Sequence, residues 1–500
     1  MVEQREIERT YAPDSDADLP DLTGLPGVSE VGPPHVDELD AIYFDTADLA
    51  LTRAGVSLRR RTGGPDEGWH LKIPADQGRD EVRVPLSRAL HHPPAQLRRD
   101  VVAWAGKAPL VEIATVNTRR TRRNLLAADG TVLAEVADDE VTGTPAGSAG
   151  PVVWREWELE LVEAEPDLLG AADELMSKSR VGPSEVQRKI LHVLGDRAPG
   201  PEPLPEVGPD LPAGRMLHRR LIRQVTELKV SDSLIRRRRD EGVHRARVAC
   251  RRLRSALATY RPLVDREVTD PLRDEIKWLG QTLADARDAT VVRERLRAMV
   301  DAEPNDVVVG PVRTRLDKTF GERSRAGWAL VDDTLSSDRY LALLDALDRL
   351  IADPPWTDQA GRPAKTVLPA RVRKDWRRLK HRMAGVAEAE SREAELHEVR
   401  KDTKRLRYAA EAVHTVWGKD AKKLAKAAKA LTSHLGELQD TVMSRPRLLD
   451  IAAEADAAGE SSVTWGVLLV REEERAAELE EQLPELWAKV SRKKLRRWLK

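Results

Sequence analysis

The chain has 500 residues, with 83 Lys and Arg against 84 Asp and Glu and a formal net charge of −1; at roughly 100–200 residues per domain, that length calls for two or more domains, each able to bury a core. A single cysteine, Cys250, excludes an intramolecular disulfide framework and any Cys-rich zinc or iron–sulfur site, and points to a reducing compartment, the cytoplasm. No apolar run approaches the about 20 residues a membrane helix needs, and the opening MVEQREIERTY has no basic-then-apolar leader, so neither a membrane span nor a signal peptide is expected.

Up to residue 195, short β-branched runs broken by Gly and Pro read as strands: GVSLRRRT, WHLKIP, DEVRVPL, TVLAEVADDEV and VVWREWELELVE. Residues two apart on a strand share a face. Glu6 therefore faces with Glu8, Arg59 with Arg61, Glu81 with Arg83, and Glu156 with Glu158 and Glu160. In WREWELEL the alternate Trp and Leu positions must form core, which leaves the other face uniformly acidic. Like charges spaced about 7 Å along a strand repel unless a cation compensates them. On any one strand a solvated exterior explains the alternation. Glu-rich and Arg-rich strands on one sheet surface suit a metal-bridged polyanion instead, with carboxylates taking Mg²⁺ or Mn²⁺ and guanidiniums taking phosphate oxygens.

Residues 196–213 hold six prolines in eighteen residues, which predicts a stiff, extended spacer and a domain boundary. Residues 1–200 carry 23 basic and 35 acidic side chains, and 201–500 carry 60 and 49, so the neutral total conceals −12 beside +11. From residue 214 onward, Ala/Leu/Arg/Glu-rich segments with a 3.6-residue period predict helices over 214–260, 270–301, 340–352, 392–417, 420–443 and 463–490. VHRARVACRRLRSALATY (243–260) aligns without gaps on LHEVRKDTKRLRYAAEAV (396–413), and Asp288 pairs with Asp440 at a similar offset, which predicts two related helical bundles.

On the first of these helices His244, Arg247, Arg251 and Arg254 fall within an arc of about 80°. His397, Arg400, Lys404 and Arg407 repeat that face, and no acidic i+4 partners are expected for them. A solvated face accounts for one such helix, whereas its duplication argues for a polyanion surface. Arg outnumbers Lys 62 to 21, which suits bidentate phosphate contacts. One His per helix among arginines is a poor metal site. Aromatic residues are only 4% of the chain, too few rings for stacking single-stranded bases, so nucleic acid is not the expected partner.

Over about residues 3–195 the motifs resemble, in order, the CYTH domain of triphosphate tunnel metalloenzymes, closed antiparallel β-barrels that bind a triphosphate with divalent metal. EIERT fits the opening Glu-x-Glu-x-Lys, YFDTADLALTRAGVSLRRR the Tyr-x-Asp-Thr segment and Arg-x-Arg strand, and WHLKIP the phosphate-binding lysine. NTRRT supplies Arg120, VADDEV Asp138 and Glu140, WELEL Glu158 and Glu160, and PSEVQRK Lys189. The resemblance implies that Glu6, Glu8, Asp138, Glu158 and Glu160 hold Mg²⁺ or Mn²⁺. It implies that Arg59, Arg61, Lys72, Arg83, Arg120 and Lys189 grip phosphates, with catalysis centred on Glu6, Glu8 and Lys72. One position departs from the pattern: Thr10 stands where the opening motif ends in Lys, and a hydroxyl brings no charge to a phosphate.

Roughly residues 213–495 resemble the CHAD domain, a helical domain with internal pseudo-two-fold symmetry that binds inorganic polyphosphate; LGQTLADARD and LGELQD add to the repeated helices. The resemblances imply an α+β multidomain chain: a closed antiparallel β-barrel at 1–195, the Pro-rich linker at 196–213, and an all-α pseudo-two-fold helical bundle at 214–500. The function implied is a metal-dependent inorganic triphosphatase that also binds inorganic polyphosphate and associates with polyphosphate granules. The alternative is a non-catalytic polyphosphate-binding protein with a degenerate tunnel. Nucleotide chemistry, adenylate cyclisation or hydrolysis of an organic triphosphate, ranks lower because the attached helical domain favours an inorganic substrate.

Overall fold

In the computed structural model of the protein, which describes residues 2–87, 90–147, 150–200 and 203–499, the chain divides into two compact units, residues 1–203 and 204–500. The side chains of 285–289, Asp288 of the repeat among them, lie outside the described residues.

The first unit is built on ten strands: β1 (Val2–Glu6), β2 (Glu8–Tyr11), β3 (Glu30–Val31), β4 (His35–Asp45), β5 (Ser57–Thr62), β6 (Gly68–Pro74), β7 (Arg79–Val84), β8 (Val111–Leu126), β9 (Val132–Pro145) and β10 (Val152–Leu161). Their order is β1-β7-β6-β5-β4-β8-β9-β10-β2, with β3 beside β8. Only Ile7 separates β1 from β2, yet β1 pairs antiparallel with β7 and β2 with β10. One N-terminal segment thus changes partner at Ile7 and draws the two sheet edges together into a nearly closed antiparallel barrel, which leaves little unpaired edge.

Short helices α1 (Ala50–Arg53), α2 (Ala95–Asp100) and α3 (Val102–Ala105) interrupt the strands, and α4 (Asp167–Lys178) and α5 (Lys189–Leu194) follow them. The alternation of WREWELEL places its apolar face outward: Trp157 and Leu159 are fully buried against Tyr11 and against Leu168, Leu169, Ala172 and Met176 of α4. Each such side chain contributes about 1.5–3 kcal/mol of burial. That packing fixes the phase of β10 and turns Glu156, Glu158 and Glu160 to the barrel interior. Ile190, Val193 and Leu194 of α5 pack on Ala41, Tyr43, Val116 and Val141. A Cβ at position 143 would meet Val193 Cγ2 at 2.3 Å, so Gly143 lets α5 lie close to β9. Lys189, the first residue of α5, is seated there.

The second unit comprises α6 (Ala213–Arg236), α7 (Asp240–Thr259), α8 (Arg266–Ala302), α9 (Val312–Ser336), α10 (Asp338–Ala352), α11 (Ala364–Gly385), α12 (Arg392–Ala457) and α13 (Val463–Val490). The run expected over 214–260 breaks after α6, where Arg238 takes a left-handed φ of 61°. α12 runs on to Ala457, with one break at Gly418, φ 53°, a conformation glycine adopts without steric cost. α9 and α11 fall outside the predicted segments. α9 buries Val312, Leu316 and Phe320 at i, i+4, i+8 under a highly charged exterior, and Pro369 inside α11 disguises its period. The repeated segments 243–260 and 396–413 lie on α7 and the first part of α12. The end of the Pro-rich segment is no free spacer: Lys365 N–H donates to the Pro209 carbonyl and Ala364 N–H to that of Leu211, both at 2.8 Å. Among the described residues no helix is long and apolar enough to cross a membrane.

Candidate active site

The barrel interior is charged almost throughout. Its cavity is lined by Glu6 and Glu8 from β1 and β2, Arg59 and Arg61 from β5, and Lys72 from β6. Glu81 and Arg83 of β7, Arg120 of β8, Glu158 and Glu160 of β10 and Lys189 of α5 line it too, with Tyr43, Asp66, Arg79 and Arg188 among the rest. Of the residues named from the sequence for this site, the structure brings all but Asp138 and Glu140 to one cavity; Glu140 is exposed beside Arg119.

Cross-strand register explains the placement of Asp138. Residues directly opposite on paired strands share a face. Asp139 stands opposite both Arg120 and Glu156, which point inward, whereas Asp138 stands opposite Trp157, which points out to α4. Asp138 accordingly accepts from Arg155 Nε and Nη2 at 2.9 and 2.7 Å on the outer face, and its neighbour Asp139 takes the interior position. Sequence reasoning missed Asp139, and it left Glu81 and Glu156 without roles although their strand alternation with Arg83 and Glu158 had placed them on the same faces.

Two carboxylate groups differ in their compensation. Asp139, Glu156 and Glu158 have oxygens within 4.8 Å of one another. Lys189 Nζ sits among them, 2.9 Å from Asp139 and 2.6 Å from Glu158, and also contacts Glu156. Arg120 adds a bidentate hold on Asp139 at 2.8 and 2.6 Å and donates to Glu158. The Lys189 and Arg120 charges hold Glu158 well below the usual carboxylate range despite its burial.

The second group is Glu6, Glu8 and Glu160. Glu160 lies directly opposite Glu8 across β10 and β2, and no cation lies within ion-pair distance of it among the described residues. Burial, and then Glu6 and Glu8, push the Glu160 carboxyl up to about 7. Glu6 is raised also, chiefly by burial, against the pull of Lys72, whose Nζ lies 2.5 Å away. Among the described residues Glu8 has only Arg79 within ion-pair distance, at 3.9 Å. Under-compensated carboxylate oxygens of this kind fit a hard divalent cation such as Mg²⁺, and the first group, already centred on an ammonium, has less need of one.

The guanidiniums are placed for an anion. Among the described residues Arg59 meets no carboxylate within ion-pair distance; its Nη1 donates to Tyr43 Oη at 3.3 Å. Burial and the neighbouring Arg59 and Arg120 lower the Arg61 pKa to about 9, which still leaves it charged at neutral pH. Arg61 pairs with Asp66, and Arg83 with Glu81. His70, another residue without a sequence signal, fixes Glu81 through Nδ1 at 2.9 Å. Thr10 is buried on the inner face opposite Glu158 and carries no charge to that wall.

In the helical unit, the two basic faces converge only in part. Arg247, Arg251 and Arg400 lie close enough to Lys404 that their charges, after burial, push its ammonium down to about 7. Arg251 Nε donates to Tyr408 Oη at 3.3 Å, and His397 Nδ1 lies 2.7 Å from Gln439 Oε1. His244 is exposed, and Arg254 lies near Arg273 and Asp274. Arg407 corrects the expectation that these helices lack acidic i+4 partners: its Nε donates to Glu411 at 2.7 Å, one turn further on.

The CYTH domain family matches residues 4–189 and the CHAD domain family residues 219–449. The chain is 34% identical over 495 residues to an uncharacterized protein of Mycobacterium tuberculosis, Rv2226, covering 96% of this chain and 94% of that one. Among solved structures it is similar to PptA from Streptomyces chartreusis, with 22% identity, TM-score 0.47, and coverage of 55% of this chain and 99% of that one. It is similar also to the CHAD domain from the plant Ricinus communis, with 21% identity, TM-score 0.43, and coverage of 58% and 94%.

Proposed function

The chain belongs to the family of proteins that join a CYTH domain to a CHAD domain, and from that premise we propose that its barrel is a metal-dependent inorganic triphosphatase and its helical unit a polyphosphate-binding surface. The observation that carries the reading is the division of the barrel interior: among the described residues Glu160 has no cation within ion-pair distance and Glu8 only Arg79 at 3.9 Å, beside Glu6 with Lys72 and Arg83, and guanidiniums Arg59 and Arg61 share the same wall. Glu6, Glu8 and Glu160 would hold Mg²⁺ or Mn²⁺, which when bound neutralises charge on the phosphate oxygens during phosphoryl transfer. The Arg59 guanidinium, held only by Tyr43 Oη among the described residues, has its fork of N–H donors for phosphate oxygens, and Arg61, Arg83 and Arg120, whose forks are partly engaged by Asp66, Glu81 and the Asp139–Glu158 pair, add positive charge around it. Lys72, held by Glu6, adds a point charge beside them. Arg247, Arg251, Arg400 and Lys404 form the surface to which a polyphosphate chain binds, with granule association as its cellular consequence.

Thr10 favours a second reading, a binding-only barrel, because it removes one phosphate-directed cation. Phosphate release from tripolyphosphate, longer polyphosphates and ATP, with Mg²⁺ or Mn²⁺, separates the two. The enzyme reading expects turnover of tripolyphosphate, a loss of about 10²-fold or more in Glu8→Ala, and a gain in Thr10→Lys. If wild type and Thr10→Lys are both inert while Glu8→Ala binds ligand unchanged, the enzyme reading fails. Tighter binding of DNA than of polyphosphate at matched salt would overturn the polyphosphate assignment.

A further inference from the structure

Between α6, α7 and the two segments of α12 on either side of Gly418 lies a cavity of about 550 Å³. It shares no residue with the Arg247–Arg251–Arg400–Lys404 cluster. Arg252, which lines it, projects about 100° around α7 from Arg251. Its floor is apolar, formed by the buried Met216, Ala412 and Ala425.

The rim is cationic. Lys422, Lys426 and Lys429 recur at helical spacing on one face of α12 beyond the break, and Arg223 stands on α6. None of these four has an acidic partner among the described residues. Deeper in, Arg220 Nη2 and Arg252 Nε each lie 3.7 Å from the one oxygen Glu411 Oε2, which is itself buried without a hydrogen bond among the described residues, while Arg407 donates to Glu411 Oε1 at 2.7 Å. The Nε of Arg220 and Arg252, and Nη2 of Arg220, are buried without a hydrogen-bond acceptor among the described residues. Unpaired buried donors are costly, and an anion entering the cavity would satisfy them.

We propose that this cavity binds a nucleoside polyphosphate, with its phosphates against the Lys and Arg rim and its sugar and base over the Met216–Ala412–Ala425 floor. The volume lies within the range of small-metabolite sites. Among the described residues Glu411 is the only carboxylate lining the cavity against its cluster of cations, so a single phosphate would leave most of the rim uncompensated. An inorganic chain has nothing to place on an apolar floor, whereas the organic part of a nucleotide removes that floor from water. His414 and Thr415 at the edge offer polar groups to a base or ribose.

The test is photolabelling of the full chain with an azido-ATP, followed by mass-spectrometric mapping of the labelled peptides. A label within residues 412–429, displaced at least tenfold more effectively by ATP than by tripolyphosphate at equal charge, is the expected result. A Lys422→Glu, Lys426→Glu double variant, whose two sites are exposed and unpaired, should lower that label at least tenfold and leave any barrel label unchanged. The proposal is overturned if residues 412–429 take no label, if tripolyphosphate displaces it as well as ATP does, or if the double variant labels as wild type. The barrel's labelling is read separately on its own peptides, so neither the presence nor the absence of triphosphatase activity decides the outcome.

Discussion

Replacing Lys189 with methionine removes the ammonium at the centre of Asp139, Glu156 and Glu158 while nearly preserving side-chain volume. The side chains of Lys189, Asp139 and Glu156 are 9%, 0% and 4% exposed, so solvent does little to screen the loss. Removing one partner of a buried ion pair costs about 3–5 kcal/mol. Arg120 would keep its hold on Asp139 and Glu158, but among the described residues Glu156 would retain only the indole N–H of Trp154, at 2.7 Å. At about 2–4 °C per kcal/mol for a unit of this size, the barrel's melting temperature should fall by about 6–20 °C in EDTA. The vacated trio, with oxygens within 4.8 Å of one another, should then accept a divalent ion. Mg²⁺ or Mn²⁺ at a hundred times its dissociation constant would return about 2.7 kcal/mol. Thermal unfolding of wild type and Lys189→Met, each with EDTA and with metal, measures both effects. A variant that melts within about 1 kcal/mol of wild type and ignores metal would refute the view that Lys189 serves as the counter-charge of this cluster.

Three further outcomes are expected. Asp139→Asn should weaken tripolyphosphate binding by about tenfold or more through loosening of Arg120, and Asp138→Asn should change it less than about threefold; calorimetric titration of the two decides, and equal effects would contradict the register argument. Glu160, whose carboxyl is raised from 4.5 to about 7, binds its proton more tightly folded than unfolded, so its own contribution to metal-free stability is full below about pH 4.5 and is lost as pH rises through 7. At 1.36 kcal/mol per unit the decline is about 3 kcal/mol. Urea unfolding in EDTA from pH 5 to 8 should show it, and Glu160→Gln should flatten it; an unchanged slope in the variant counts against the assignment. Lys404, lowered to about 7, must be charged to attract polyphosphate, so affinity should be full below pH 7 and fall with rising pH by at most about tenfold per unit. Lys404→Met should bind more weakly at pH 6 and lack that pH step, as measured by titration with a long-chain polyphosphate.

Much of the fold was legible because each half carries its own hydrophobic period. In WREWELEL the two-residue alternation announced one apolar and one acidic face, and in 243–260 the 3.6-residue period and its echo at 396–413 announced paired helices. The pairing of Arg407 with Glu411 was also present in the sequence at i+4, but the wider arc of basic residues obscured it. Asp138 and Asp139 show what alternation alone leaves undecided. It says that adjacent residues face opposite ways, yet the phase comes from the partner strand, where Trp157 lies under α4 and fixes which carboxylate turns inward.

By itself the sequence determined the two-part organisation, the strand and helix classes, and the division of a near-neutral chain into an acidic and a basic half. These depend on local period and composition, which need no knowledge of neighbours in space. Only the tertiary structure decided which acidic residues are compensated. Lys189 arrives from a helix packed on Gly143 to balance one carboxylate trio, and Glu160, opposite Glu8, has no cation within ion-pair distance among the described residues. The energy of a buried charge is set by what lies within a few ångströms of it, and that is a property of the folded barrel.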